Sequence, residues 1–342
     1  MNAKGKAVLA AAIAVLAVAA AGAVWFCKFY YDRKVPNFSG TTELYVYPDT
    51  PAEDVVSMVL ADCGPKNVKS VMRAFRGVTA VKPGHYTVTA SNPSIYVARM
   101  LQAGWQTPVN LVLSGTMRQK EAIARKISNQ MLLDSAAVAA ALDDESLLSS
   151  LGFAKKDVFA LFIPDTYQVY WTDPMETVLS RQKAAYDAFW TEENLAKAKA
   201  QGLSRMEVSV LASIVSGETN HEPEMPSIAG VYLNRLHKGM KLQADPTVAY
   251  CFNYTLNRVL LKHLEVDSPF NTYRYAGLPP APICVPSKAA LNAVLNPDRH
   301  GYIFFCASPE FDGTHRFAVT LAEHNRNARA FQQALNQRNR TR

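Results

Sequence analysis

Cysteine is scarce in this chain and shows no motif: Cys27, Cys63, Cys251, Cys284 and Cys306 make an odd count with no C-x-x-C pair. That pattern supports neither a disulfide framework nor a dithiol redox centre. Cys27 lies in an apolar run, and the other four are expected to behave as small buried hydrophobes. The seven histidines show no H-E-x-x-H or other close ligand spacing, so no metal site is expected and zinc catalysis lacks its usual signature. G-x-S-x-G, G-x-x-x-x-G-K and G-x-G-x-x-G are all missing, which takes away the signatures of serine hydrolases, nucleotide-dependent enzymes and dinucleotide-dependent enzymes. No cofactor is called for. The net charge is +7, yet no basic run of the kind found in nucleic-acid arms occurs, so nucleic acid is not an expected partner.

What is present is ordinary globular composition, 49% hydrophobic and 19% charged over 342 residues, enough for two domains beyond an anchor. The anchor is the exception to that composition. Ala7 to Cys27 is uncharged and almost wholly apolar, about 31 Å long as a helix at ~1.5 Å per residue, close to bilayer thickness. Lys4 and Lys6 before it and Ala21-Gly22-Ala23 within it also suit a cleaved signal peptide. The run continues through Val24-Trp25-Phe26 and meets Phe29, Tyr30 and Tyr31 beside Lys28, Arg33 and Lys34, an aromatic belt that favours an uncleaved transmembrane helix over 7–27. Lys4 and Lys6 on one flank face Lys28, Arg33 and Lys34 on the other, which leaves its orientation open.

The chemistry centres on Ser213-Ile214-Val215-Ser216-Gly217-Glu218. Ser204-Arg205-Met206-Glu207 has the form of a capping box and predicts a helix start. Met206, Val210, Leu211, Ile214 and Val215 form its apolar face, and counting in fours from Val210 reaches Ile214 and then Glu218. A carboxylate at the edge of an apolar face loses hydration, so its pKa rises towards that of a general acid. The alternative is that Gly217 caps the helix and leaves Glu218 in solvent.

Around this helix the pattern predicts an α+β protein. Residues 35 to 41 read as a short tether. Strand 42–47, helices 51–62 and 66–76 and strand 85–89 follow, an order that resembles a LysM-like unit, with a structural spacer as the alternative. Helix 94–103 and strand 109–113 lead to a boundary near 114–116. Tyr170-Trp171 suggests sugar stacking, with core packing as the alternative. Helices are expected at 174–190 and 192–200. Pro226 and Gly239 bracket a further helix, and Asp245 before Pro246 reads as an N-cap. Residues 268–286 are a proline-rich loop carrying Asn271, Thr272 and Tyr273, a place for binding. A helix over 287–295, a hairpin of strands 302–307 and 316–319, and a capping box at Thr320 to Glu323 that opens a C-terminal helix complete the chain. A carboxylate with amides and aromatic rings in loops suits polysaccharide cleavage.

In their order these residues resemble the endolytic murein transglycosylases, the YceG-like family. The resemblance rests on Ala212 to Val215 leading to Glu218-Thr219, on Gly230-Val231 with Asn234-Arg235, and on Leu242-Gln243 with Asp245-Pro246-Thr247. It continues through Asn271-Thr272-Tyr273, Gly277 to Pro280, His324-Asn325 and, upstream, Phe162 to Tyr167. It implies that Glu218 is the catalytic acid, that residues 1–6 are cytoplasmic, and that the helix spans the inner membrane once with the body on the periplasmic side. A LysM-like subdomain with linking elements would occupy 35–115 and a mixed α/β catalytic domain 116–342. The implied reaction cuts nascent peptidoglycan between N-acetylmuramic acid and N-acetylglucosamine, leaves a 1,6-anhydro end and stops strand growth beside the synthases. Asn234, Arg235, Gln243, Asp245, Thr247, Asn271, Thr272 and Tyr273 are the candidate substrate contacts. Ser216 and Gly217 stand where the family is often charged, Gln168 where it often has glutamate, and Ala281 where it usually has glycine. The rival readings are a hydrolase with Asp245 as base and a silent wall-binding scaffold for synthases.

Overall fold

An uncharged run of alanine, valine and leucine has no polar face to solvate, and in the computed structural model it is one long helix, α1 (Ala3–Lys34). The structure describes residues 3–340. Met1 and Asn2 of the expected N-terminal stretch 1–6, and Thr341 and Arg342 of the expected region 116–342, lie outside the described residues. Within Lys4–Lys34 an 18-residue stretch of α1 reaches a mean hydropathy of 2.6 with none of its residues buried in protein, so by length and composition it suits a membrane anchor or a signal sequence.

The helix runs past Cys27 and ends in a polar knot rather than a free tether. Asp32 is 6% exposed and accepts from Arg73 Nε at 2.8 Å and Nη2 at 2.7 Å, and from Ser70 Oγ at 2.6 Å. Asn37, expected in a tether, is fully buried. Its amide exchanges hydrogen bonds with the backbone of Asn67, at 3.0 Å to the carbonyl and 2.8 Å from the N–H. A side-chain amide here pairs like a strand, which composition alone does not reveal.

Two compact units follow, one running up to Val109 together with Gln168–Thr172, the other comprising Asn110–Tyr167 and the chain from Asp173 onward. In the first, β1 (Thr42–Val46), α2 (Ala52–Asp62), α3 (Val68–Ala74), β2 (Gly84–Val88) and α4 (Ser94–Ala103) keep the predicted order of elements. β1 and β2 pair antiparallel from Thr42↔Val88 to Val46↔Gly84 over a core of Leu44, Val55, Val59, Tyr86 and Val97. Trp171 is 6% exposed and meets the rings of Tyr45 and Tyr47 edge-on at 5.2 and 4.9 Å. It is a packing residue, while Tyr170 is exposed.

After β3 (Val109–Leu113), the chain forms α5 (Lys120–Ser128), α6 (Ser135–Ala141), α7 (Glu145–Ser150), α8 (Val158–Leu161), β4 (Asp165–Val169), α9 (Met175–Phe189) and α10 (Glu192–Ala200). β4, which pairs with β3, escaped the sequence reading because only its last residue is buried and it shows no apolar alternation. The second unit's core is built on α11 (Arg205–Glu218), whose residues Val208 to Val215 are buried without a break. It packs against α12 (Met225–His237), α13 (Asp245–Cys251) and α14 (Lys288–Leu295). The capping box at Ser204 and Glu207 is complete. The chain closes with the antiparallel pair β5 (Phe304–Ala307) and β6 (His315–Ala318) and with α15 (Leu321–Arg340). At the start of α15, Thr320 Oγ1 accepts from Glu323 N–H at 3.2 Å, but the Glu323 carboxylate bonds Val319 N–H at 3.1 Å instead of closing on Thr320.

Candidate active site

α11 carries its helical geometry through Glu218, and Thr219, in extended conformation, is the C-cap, its N–H reaching Val215 O at 3.3 Å. Gly217 is therefore not the cap. Its lack of a side chain serves close packing: a Cβ there would lie 2.6 Å from Pro246 Cβ, inside the contact limit. That approach brings the first turn of α13 against the end of α11. Glu218 remains on the inward stripe, partly buried.

Over it opens a cleft of about 270 Å³, lined by Glu218, Tyr232, Arg235, Leu242, Gln243, Asp245 and Tyr273 and by the β5–β6 residues Phe305, Cys306, Ala307 and His315. Tyr232, 1% exposed, donates its hydroxyl proton to Glu218 Oε1 at 2.5 Å. Burial pushes the Glu218 carboxyl up to about 7, and the nearby negative charge of Asp245 acts in the same direction. The Tyr232 hydrogen bond and the Arg235 guanidinium oppose the rise. Glu218 thus holds a proton through the mildly acid range and can give it up near neutrality, the property required of a group that is first acid and then base.

The sequence candidates separate into two sets. Gln243, Asp245, Tyr273 and Arg235 reach the cleft with Glu218. Asp245 is not an N-cap: Ala244 holds that place without a side-chain bond, and Asp245 is the first residue of α13. Proline at the next position leaves no N–H there to be capped, and the carboxylate instead accepts from Tyr273 Oη at 2.6 Å. Gln243 is exposed, with a left-handed φ of 53°. Arg235 is 8% exposed. Its Nε donates to Ile303 O at 2.6 Å and its Nη1 to Leu242 O at 2.7 Å, so it staples the 241–243 loop and the entry to β5 while lending positive charge to the cleft.

Asn234, Thr247, Asn271 and Thr272 do not line it. Asn234 Nδ2 donates to the carbonyls of His300 and Tyr302 at 2.9 and 3.0 Å. Asn271, fully buried, donates to Leu264 O and Val266 O at 2.9 and 2.8 Å. Thr247 and Thr272 share a hydroxyl–hydroxyl bond of 2.8 Å, and Thr272 Oγ1 accepts from Ala244 N–H at 3.0 Å. These four hold loops that present the others. The proline-rich loop therefore reaches the cleft through Tyr273 alone among its three candidates, because buried amides and hydroxyls must satisfy backbone groups.

Sequence reading missed Tyr232 and, although it expected the C-terminal hairpin, missed that this strand pair lines the cleft. Tyr232 had a findable signal, three residues before Arg235 and so on the same helix face. Phe305 and His315 had none, since nothing local ties strands near the C-terminus to α11. Among the described residues no group of three or more His, Cys, Asp or Glu side chains could hold a metal ion.

Comparison with known proteins agrees with this architecture. A model of the YceG-like family matches residues 46–330. The endolytic murein transglycosylase of Bacillus subtilis (strain 168) is 29% identical over 269 residues, 74% of this chain and 73% of that protein. That of Streptococcus pneumoniae serotype 2 (strain D39) is 24% identical over 287 residues. The alignment spans 74% of this chain but only about half of the pneumococcal protein, 51%. The crystal structure of a YceG-like protein from Listeria monocytogenes superposes with a TM-score of 0.58 at 25% identity, covering 84% of this chain and 98% of that one.

Proposed function

The chain belongs to the YceG-like family, and on that premise we propose that it is an endolytic lytic transglycosylase of peptidoglycan with Glu218 as its catalytic acid. The observation that carries this is the partly buried Glu218 carboxyl, raised to about 7 by burial at the end of α11 and facing the cleft. Its relatives from B. subtilis and S. pneumoniae carry the name of the same activity.

In the proposed reaction Glu218 protonates the oxygen between C1 of N-acetylmuramic acid and N-acetylglucosamine, and the C1–O bond breaks. The muramic C6 hydroxyl oxygen then forms a bond to C1, and its proton returns to the Glu218 carboxylate. Water is not consumed, the product ends in 1,6-anhydro-N-acetylmuramic acid, and the enzyme regains its starting protonation. Because the nucleophile belongs to the substrate, a second catalytic carboxylate is unnecessary, unlike the pair in ordinary glycosidases. Tyr232 steadies the carboxylate when it is ionised, and Gln243, Asp245 and Tyr273 offer polar contacts to sugar in the same cleft.

We further place α1 in the inner membrane as a single span with residues 1–6 cytoplasmic and the rest periplasmic. Its hydropathy and its exposure from protein support this. The strand–helix–helix–strand unit within 35–115 is read as LysM-like and the chain from 116 as the catalytic region. An enzyme so tethered meets nascent strands at the membrane, beside the synthases whose products it would terminate.

The deciding experiment is mass spectrometry of glycan fragments released from peptidoglycan by the full chain in detergent. Anhydro ends are expected. Reducing ends would replace the lyase by a hydrolase, and absence of fragments would leave a wall-binding scaffold.

A further inference from the structure

Bonded to His315, one of the residues that line the cleft, is an acid that the reaction above does not use. Glu224 stands in a single turn of 3-10 helix, Glu222–Glu224, directly before α12. Its Oε1 accepts from the backbone N–H of His315 at 2.9 Å and its Oε2 pairs with His315 Nδ1 at 3.0 Å. The two side chains are 16% and 13% exposed, and the partners lie 91 residues apart in sequence. A carboxylate accepts only, so Nδ1 carries the proton and, in the neutral ring, Nε2 keeps its lone pair. The ring lines the cleft. It meets Phe305 edge-on at 5.4 Å, and Phe305 meets Tyr232, the partner of Glu218, edge-on at 5.8 Å.

We propose that His315 is a positioning residue: oriented by Glu224, its Nε2 accepts a hydrogen bond from a hydroxyl or acetamide N–H of the bound amino sugar. The inference rests on the glycan-cleaving reading of this cleft. The Glu218 and Asp245 carboxylates and the Gln243 amide also line the cleft, and the Nε2 lone pair of a ring oriented by Glu224 gives sugar hydroxyl and amide protons a further acceptor on its β6 side.

The test uses the full chain and compares His315→Asn with His315→Gln. Asparagine places an amide nitrogen near the position of Nδ1 and keeps the bond to Glu224, but has nothing at the position of Nε2. Glutamine reaches towards the position of Nε2. His315→Asn is expected to lower kcat/KM for glycan cleavage by about 10- to 100-fold with Tm unchanged, and His315→Gln to recover part of that loss. A well-folded His315→Asn that cleaves at the wild-type rate overturns the proposal. If both variants fail to fold, Glu224→Gln decides. Its amide offers one acceptor where two donors converge, so the ring turns or takes the other tautomer. Loss of cleavage in folded Glu224→Gln supports the proposal and a wild-type rate sinks it. A wild-type chain that releases no fragments would refute the glycan-cleaving reading itself, an outcome distinct from an active His315→Asn.

Discussion

Two carboxylates drawn out of water in this protein, Asp32 buried and Glu218 partly buried, have opposite surroundings. Asp32, at the end of α1, is held in a fork by Arg73 and bonded by Ser70. Glu218, at the end of α11, receives a hydrogen bond from the neutral hydroxyl of Tyr232 and has Arg235 nearby but bonded elsewhere. A carboxylate matched by a bidentate cation stays ionised and fixes geometry. One that burial strips of water without a direct cationic partner keeps its proton near neutrality and can transfer it. Position on a helix is similar in the two cases; the partner decides whether the acid serves structure or chemistry.

The sharpest way to break this comparison is Glu218→Gln, expected to lower cleavage by about 10²- to 10⁴-fold, because glutamine keeps the shape but transfers no proton. Stability should move the other way. The folded-state value of about 7 lies above the ordinary 4.5, so the stability supplied by the neutral carboxyl is complete below about 4.5 and is lost as pH rises through about 7. Thermal melting should therefore show Glu218→Gln more stable than wild type at pH 8 and equal to it at pH 4. Equal melting at both values would mean that Glu218 is not desolvated.

Asp32→Ala is expected to leave the cleft chemistry intact and to destabilise the first unit by about 3 kcal/mol, by stranding Arg73. Urea unfolding measures it. A chain cut to begin at Val35 should show the same defect, and one beginning at Phe29 should not.

Tyr232→Phe removes the hydrogen bond that favours the ionised form of Glu218. The decline of cleavage as pH rises through about 7 should move to higher pH, with a loss of several-fold at the optimum. The smallest effect belongs to Asp245→Asn. Removing a negative charge that raises Glu218 should shift the same decline to lower pH and cost less than about tenfold in rate. Inactivation of folded Asp245→Asn as deep as that of Glu218→Gln would make this a two-carboxylate site.

Much of this was legible in the chain because it is local. The capping box at Ser204, the apolar stripe and the fours from Val210 placed Glu218 on the inward face of α11, and the uncharged run announced α1. Gly217 misled, since a glycine near a helix end reads as a cap when it is instead a point of contact with Pro246. Asn271, Thr272 and Thr247 misled for a related reason: an amide or hydroxyl in a loop has the same letter whether it meets a sugar or a backbone carbonyl.

The sequence by itself determined what depends on periodicity and solvation along one segment: the helices, the anchor-like run and the acid on its stripe. The tertiary structure alone decided the partners, namely Tyr232 on Glu218, Arg73 on Asp32 and Glu224 on His315, separated by 14, 41 and 91 residues. Hydrogen bonds and desolvation act over a few ångströms of space, and only the packing of α1 on α3 in the first unit, and of α11, α12 and the β5–β6 pair in the second, brings such distant residues within that range.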